Sequence, residues 1–73
     1  MNKTITITNL NGTEPYDIYL CDGSYLNCIF ITTINDVDIP YTFLVPAPYL
    51  PLSTVGVKAI DDNGCEIKDL INI

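Results

Sequence analysis

The sequence contains no histidine, no arginine and no tryptophan, and its only cations are three lysines. Its two serines, Ser24 and Ser53, lie in turn-like stretches. General acid–base and nucleophilic catalysis both need a reactive side chain beside a positioned partner, and histidine is the commonest such partner. The missing residue types therefore predict a protein that is not an enzyme, with no catalytic residues and no cofactor.

Positive charge is scarce, because three basic residues stand against nine acidic ones and leave a net charge of −6. Phosphate backbones are bound through lysine and arginine with release of counterions, so this balance argues against a nucleic-acid partner and against an anionic membrane. No stretch approaches the roughly 18 to 20 apolar residues that a membrane helix needs. We expect partners that are neither nucleic acid nor membrane.

An apolar block of the kind found in signal peptides is also absent. The first eight residues, MNKTITIT, alternate polar and apolar side chains, whereas a signal peptide carries an apolar run of at least about seven residues. We therefore expect a chain that is made in the cytoplasm and not exported.

The three cysteines form an odd set without histidine, which fits neither a fully paired secreted framework nor a four-ligand zinc site. Cys21 and Cys28 flank a six-residue loop at facing strand ends, where a disulfide is feasible. Synthesis in the cytoplasm favours three reduced thiols instead, and Cys65 is expected to be a small buried side chain.

Two acidic turns, 35–38 (NDVD) and 61–64 (DDNG), resemble calcium loops only superficially. A calcium loop places its oxygen ligands at alternate positions before its glycine, whereas the oxygens of 61–64 are contiguous. We expect solvated turns and no metal site, with weak calcium binding at Asn35, Asp36 and Asp38 as the alternative.

β-branched residues dominate what is present, since isoleucine, valine and threonine supply 23 of the 73 residues. These residues pack well on pleated surfaces. Alternation and turn residues predict six strands, at 3–10, 16–21, 28–34, 39–45, 54–60 and 65–73. The pattern predicts a single domain, residues 1–73, folded as a small immunoglobulin-like (Ig-like) β-sandwich of about six to seven antiparallel strands.

Three details of this pattern are specific. The run 28–34 is apolar on both phases, which predicts a strand that is central or covered on its second face. The pair Asn63 and Gly64 predicts a tight hairpin whose type I′ turn holds Gly64 at positive φ. Asp69 falls in the apolar phase of the last strand, so either it lies at a sheet rim or a bulge resets the register.

The apolar, proline-rich loop at 46–52 is the candidate interface. Tyrosine is enriched at protein interfaces because it combines rigid area with a polar tip. The residues assigned to this contact are Pro48, Tyr49, Leu50 and Leu52. In the alternative interpretation, Tyr49 and Leu50 fold back and cap one end of the core.

Two groups of stretches resemble known families. Residues 11–16 (NGTEPY) and 57–65 (VKAIDDNGC) are similar to the Gly-Thr-x-Pro-Tyr opening and the Val-x-Asp-x-Asn-Gly-Cys closing hairpin of bacterial surface Ig-like repeats. Residues 15–22 (PYDIYLCD) and 27–31 (NCIFI) resemble small Ig-like accessory capsid proteins of crAss-like tailed bacteriophages.

The phage resemblance implies a non-enzymatic accessory or decoration protein that binds the capsid shell in many copies and is made in the host bacterial cytoplasm. Its partners would be the major capsid protein or other virion proteins, and no contact residue can be transferred. Surface repeats normally occur in tandem behind an export signal, so we expect the virion protein. The alternatives are a secreted or surface-displayed Ig-like binding module, in which Cys21 and Cys28 would form a disulfide, and a small phage inhibitor of a host protein.

Overall fold

The computed structural model describes residues 3–73, which form six strands in two antiparallel sheets. The strands are β1 (Thr4–Ile7), β2 (Tyr16–Asp22), β3 (Cys28–Ile34), β4 (Tyr41–Leu44), β5 (Thr54–Ile60) and β6 (Glu66–Asn72). Two single 3-10 turns, Asp36–Asp38 and Ala47–Tyr49, lie in the loops that flank β4. Residues 3–73 include no helix with the length and apolar character needed to cross a membrane. The predicted all-β fold is confirmed.

The two sheets differ in width. β1 and β4 form a two-stranded sheet, and the other four strands pair in the order β3-β2-β5-β6. Strands B and E pair in one sheet of an immunoglobulin sandwich, and strands C′, C, F and G pair in the other. β1 and β4 take the places of B and E, while β3, β2, β5 and β6 take those of C′, C, F and G. The predicted small sandwich is confirmed, with six strands.

Alternation along the strands directs one apolar face of each sheet into a shared core. Fully burying a large apolar side chain contributes about 1.5 to 3 kcal/mol. The core residues, each less than a tenth exposed, are Ile5, Ile7, Tyr16, Ile18, Leu20, Ile34, Phe43, Val45, Tyr49, Val55, Val57 and Ala59. Two strands are too few to cover four, and inward residues of β3 and β6 such as Ile29, Ile67 and Ile71 stay partly exposed.

β3 corrects one prediction, because it is an edge strand rather than a central one. Ile29 is 37% exposed and Phe30 is 56% exposed. Apolar residues in both phases of β3 therefore do not mean that both faces of this strand are buried within residues 3–73.

The register is interrupted in β3 and not in β6. Tyr19 pairs with Phe30 and Ile18 pairs with Thr32, which leaves Ile31 as an extra residue in a β-bulge. The β5–β6 pairing runs unbroken over all seven residues of β6. Asp69 therefore keeps its inward phase and lies exposed at the sheet rim, which is the first of the two predicted alternatives.

The β5–β6 hairpin closes through a three-residue loop. The Gly64 N–H donates to the Asp61 carbonyl (3.0 Å), and the Asp61 N–H donates to the Cys65 carbonyl (3.0 Å). Gly64 has a φ of 83°, as predicted, but Asn63 does not have positive φ. The turn is therefore a type I turn followed by a left-handed glycine, and the type I′ prediction is wrong. The Asn63 N–H donates to the Asp61 carboxylate, which favours this geometry.

The Asp61 carboxylate also ties this hairpin to the segment before β2. Its Oδ1 accepts the N–H groups of Cys65 (2.8 Å) and Asn63 (3.0 Å), and its Oδ2 accepts the N–H of Thr13 (3.2 Å). These hydrogen bonds, with that from Cys65 foremost, lower the pKa of Asp61 although burial alone would raise it. Asp61 is 8% exposed, so its charge is stabilised mainly by backbone donors.

Gly12 fits where a side chain would not. An added Cβ would lie 2.8 Å from Oδ2 of Asp61 and 3.3 Å from the ring of Tyr16. Tyr16 is fully buried and its hydroxyl donates to Asp36 Oδ1 (3.1 Å). Burial, followed by this bond, raises the pKa of Tyr16. The stretches 11–16 and 57–65, which resemble surface repeats, thus contact each other.

Replacement of Gly64 by alanine tests the turn. We expect Gly64→Ala to lower the free energy of unfolding by about 1 to 2 kcal/mol, because an L-residue at this left-handed φ is strained. Gly23→Ala is the matched control, since φ there is not left-handed and its Cβ would meet the Thr54 carbonyl at an ordinary 3.6 Å. Urea denaturation measures both, and equal effects of the two changes would contradict the assigned turn.

Acidification tests the Asp61 carboxylate. Its folded-state pKa lies below the ordinary 3.8, so its stabilisation is complete above that value and is lost as the pH falls through the folded-state pKa. We expect Asp61→Asn to destabilise the fold at pH 7 and to flatten the decline of stability between pH 4 and pH 2, measured by urea denaturation. Asp62→Asn is the control, because the Asp62 carboxylate accepts no hydrogen bond among residues 3–73. An Asp61→Asn profile parallel to that of the unmodified protein would contradict this assignment.

Candidate functional site

The side of the four-stranded sheet that points away from the core carries a row of aromatic and cationic residues. Phe30 lies opposite Tyr19, Tyr19 opposite Lys58, and Lys58 opposite Lys68. Leu70 lies in the next row, opposite Gly56. We call this surface the outer sheet face and define it by Tyr19, Phe30, Lys58, Lys68 and Leu70.

Contacts within this row order its side chains. The rings of Tyr19 and Phe30 meet edge to face with centroids 5.6 Å apart, and the Lys58 ammonium lies 5.3 Å from the Tyr19 centroid. Such contacts contribute about 0.5 to 1.5 kcal/mol each. The Lys68 ammonium lies 3.5 Å from Oε1 of Glu66, and the two side chains form an exposed ion pair. Side chains that are already ordered lose less entropy when a partner binds.

Tyr25 covers the second row of the face. It has a left-handed φ of 56°, which is uncommon outside glycine. Its ring lies over Gly56, where an added Cβ would be 2.5 Å from Cε1 of the ring. The Lys68 ammonium lies 5.3 Å from the same ring. Gly56 thus leaves the room that the ring occupies.

Asp22 organises the loop that carries this tyrosine. Its Oδ1 accepts the N–H groups of Ser24 (3.1 Å) and Leu26 (3.0 Å), and its Oδ2 accepts the side-chain amide of Asn27 (3.0 Å). The bond from the Asn27 side chain, then that from Leu26, lowers the pKa of Asp22. Leu26 itself is 81% exposed, in the loop between β2 and β3.

A disulfide joins Cys21 and Cys28, which pair directly across the β2–β3 hairpin. The prediction of three reduced thiols is therefore wrong for this pair. Neither the cysteine count nor the missing export pattern indicates the β2–β3 register, which brings the two residues opposite each other. Cys65 is free, but it is exposed rather than buried, because it lies at the end of the turn before β6.

The four loop residues assigned to a capsid contact lie apart from the outer sheet face. Tyr49 is 7% exposed within the core, and its hydroxyl donates to the Asn27 carbonyl (3.0 Å). Leu50 and Leu52 are half-buried against the core, and Pro48 is exposed. For Tyr49 the structure supports the capping interpretation. A shell contact through this loop stays a prediction, with Pro48 as its most accessible member.

Sequence reasoning did not identify Phe30 and Leu70 as candidate contact residues. The signal for Phe30 is present in the apolar run 28–34, but that pattern predicts a strand that is central or covered on its second face. Leu70 gave a weaker signal, a single apolar residue in the polar phase of β6. Only the pairing across β2 and β5 places the two residues on one face.

Some carboxylate oxygens of the acidic turns accept hydrogen bonds from within the protein. Asp36 Oδ1 accepts the Tyr16 hydroxyl, and Asp38 Oδ2 accepts the Asn35 N–H (2.9 Å). Within residues 3–73, no group of three histidine, cysteine, aspartate or glutamate side chains could hold a metal ion. The outer sheet face offers exposed apolar side chains on its two edge strands, Phe30 on β3 and Leu70 on β6, with aromatic rings and two ammonium groups between them. This combination suits contact with another protein surface.

No family model, no curated protein and no solved structure matches this chain. The geometry of the outer sheet face is therefore the structural basis for inferring a function.

Counting thiols tests the disulfide. Denatured, non-reduced protein should expose one reactive thiol, that of Cys65, and reduction should raise the count to three. Cys65→Ser should expose none before reduction, which provides the control. Reduction should also lower the free energy of unfolding by about 2 to 3 kcal/mol, because a short loop is no longer closed in the unfolded chain. Three reactive thiols without a reductant would contradict the Cys21–Cys28 bond.

Proposed function

We propose that this protein is a non-enzymatic accessory protein that binds the capsid shell of a tailed bacteriophage through the outer sheet face. The observation that carries the docking face is the exposure of Phe30 (56%) and Leu70 (54%) among ordered rings and lysines. The choice of a capsid as partner is supported by the resemblance of 15–22 and 27–31 to accessory capsid proteins.

Grouping is what makes these residues informative, because single exposed apolar side chains are common on any protein surface. Phe30 and Leu70 lie on one sheet face, on the edge strands β3 and β6, and Leu26 lies in the loop between β2 and β3. A specific interface takes about 800 Å² from each partner, out of the 4416 Å² that this chain exposes. One such face is thus a large share of the surface, and we infer a single main docking contact for each copy.

The charge of this face differs from that of the whole chain. The chain has a net charge of −6, yet two of its three lysines, Lys58 and Lys68, lie on the outer sheet face. Asp17 and Glu66 lie in the row beside them. The complementary shell surface would present apolar area opposite Phe30 and Leu70, and carboxylates or carbonyl groups opposite the lysines that lie between them.

The Cys21–Cys28 disulfide favours a second candidate, a secreted or surface-displayed Ig-like binding module. Disulfides persist in secreted proteins and on virion or cell surfaces, whereas the cytoplasm keeps thiols reduced. The bond is compatible with both candidates, provided that in a virion protein it forms after release from the host. The same outer sheet face would bind the partner in either case.

Co-sedimentation with purified shells that lack this protein tests the docking face. We expect Phe30→Ala and Leu70→Asp each to weaken binding at least about thirtyfold, because truncating an anchor side chain that is buried on binding costs about 2 kcal/mol or more. Leu44→Asp is the matched control, since Leu44 is 62% exposed but lies on the outward side of the two-stranded sheet. Leu50→Asp in the same assay tests the loop contact predicted from sequence.

Equal binding of the unmodified protein, Leu70→Asp and Leu44→Asp would exclude the outer sheet face from the interface. Shells that fail to bind the unmodified protein would overturn the capsid proposal. Mass spectrometry of purified virions separates the two candidates, because an accessory capsid protein should be present in many copies. Its absence from particles, together with its presence on the bacterial surface, would instead support the displayed module.

A further inference from the structure

A groove opens on the side of the sandwich between β1 and β6. It encloses about 250 Å³, and both flanking strands are edge strands of their sheets. Its apolar lining consists of Ile7, Leu10, Val57, Ala59, Ile67 and Ile71. We call this feature the lateral groove. It uses the inward side of β6, whereas the outer sheet face uses the other side, and Lys68 is the one residue that belongs to both.

Backbone groups of β1 are unpaired along this groove. The Lys3 carbonyl accepts the Val45 N–H (2.9 Å), so these two opposite residues form a hydrogen-bonded pair. Bonded and non-bonded pairs alternate along an antiparallel ladder. Thr4 and Thr6 therefore direct their N–H and C=O groups away from β4, toward the open edge. No described residue pairs with them in a ladder.

The edge of β6 has the same property. The Ile73 N–H donates to the Ser53 carbonyl (2.9 Å), which fixes the alternation along the unbroken β5–β6 ladder. Lys68 and Leu70 therefore direct their N–H and C=O groups away from β5. The lateral groove thus lies between two rows of free backbone donors and acceptors.

We propose that the lateral groove binds an extended segment of another protein as an added strand, with apolar side chains at alternate positions and a lysine or arginine between them. Strand A of an immunoglobulin sandwich lies in this place, beside strand B, and no residue of 3–73 fills it. An added extended strand forms hydrogen bonds with the free backbone groups, and its alternate side chains cover the apolar lining of the groove. This is how β-augmentation works.

Asp69 determines the charge of this occupant. It lies in the inward phase of β6 between Ile67 and Ile71, and it forms no ion pair within residues 3–73. A cation at the matching position of the added strand would pair with it. A second copy of this chain would instead bring two Asp69 carboxylates and two net charges of −6 together. Inward-pointing charges on edge strands also oppose self-pairing, so a different protein is the occupant.

The probe is a blocked heptapeptide, Thr-Val-Thr-Lys-Thr-Val-Thr. Its two valines and its lysine share one phase and match the spacing of Ile67, Asp69 and Ile71. The sequence reads the same in both directions, so it fits a parallel or an antiparallel strand. Titration into the isotope-labelled full chain should shift the amide resonances of β1 and β6 in NMR spectra and leave those of β3 unchanged.

A charge exchange tests the role of Asp69. Replacing the peptide lysine with glutamate should weaken binding about tenfold or more, because a charge-assisted contact is lost. Asp69→Lys should reverse the preference, so that the glutamate peptide binds more tightly than the lysine peptide. A role of Asp69 in folding alone would not produce this reversal.

A pair of proline substitutions tests the backbone contacts. Thr6→Pro removes an N–H that faces the lateral groove, whereas Thr42→Pro on β4 removes one that faces the opposite edge. Both changes break the same Thr6–Thr42 hydroxyl contact (2.8 Å), and both positions leave the β1–β4 ladder bonds intact. Thr6→Pro should weaken peptide binding about two- to tenfold, and Thr42→Pro should not.

The peptide variants need no change in the protein, so the proposal stays testable even if a substituted chain fails to fold. Absence of shifts at millimolar peptide would overturn it. Equal affinity for the lysine and glutamate peptides would show non-specific apolar adsorption and would also overturn it. A concentration-dependent dimer of the unmodified chain, lost in Thr6→Pro, would replace the proposed occupant with a second copy.

Discussion

The carboxylate of Asp61 is the constraint on which much of the sandwich depends. It is a nearly buried charge whose stabilisation comes from the N–H groups of Thr13, Asn63 and Cys65. Two of these donors define the β5–β6 turn, and the third draws the segment before β2 against that turn. Because the buried charge is costly without its donors, both segments must be in place together.

The unequal width of the two sheets governs the surfaces that are left. Two strands cover the middle of a four-stranded sheet, so β3 and β6 are supported on only part of their inward sides. The lateral groove is the uncovered part beside β6. The outer sheet face has a different origin, since no strand of residues 3–73 packs on that side of the large sheet and only the loop residue Tyr25 covers part of it. Both candidate surfaces follow from how few elements a chain of this size provides.

Local patterns account for the elements of the fold but not for the contacts between them. β3 and β5 match the predicted runs 28–34 and 54–60 because alternation and turn residues act locally. The turn at Gly64 differs in type because of the side chain of Asp61, which also contacts a residue 48 positions away. The disulfide depends on which residues face each other after pairing, and the burial of Tyr49 depends on a bond to Asn27. No periodicity contains that information.

The candidate site was harder to predict for a related reason. A strand that is apolar on both phases has the same pattern whether its second face is covered within its own chain or left exposed. The run 28–34 therefore indicates apolar surfaces, while its place at the sheet edge depends on the chain leaving this sheet after β3 to form β4 in the other one. Lys58 and Lys68 were unremarkable in sequence, because their stacking on Tyr19 and Tyr25 arises only when four strands lie side by side.

The bulge at Ile31 opposes edge-to-edge pairing between neighbouring copies of this protein. A bulge strengthens the local twist and bends its strand, so a second strand cannot follow that edge in register. The two outer edges of the large sheet are thus protected by different means, distorted backbone at β3 and an inward charge at β6. Growth of the large sheet into fibres needs two edges that are both regular in backbone and free of inward charge, and among residues 3–73 neither edge of that sheet meets both conditions. Crowded copies on a repeating surface would remain separate units.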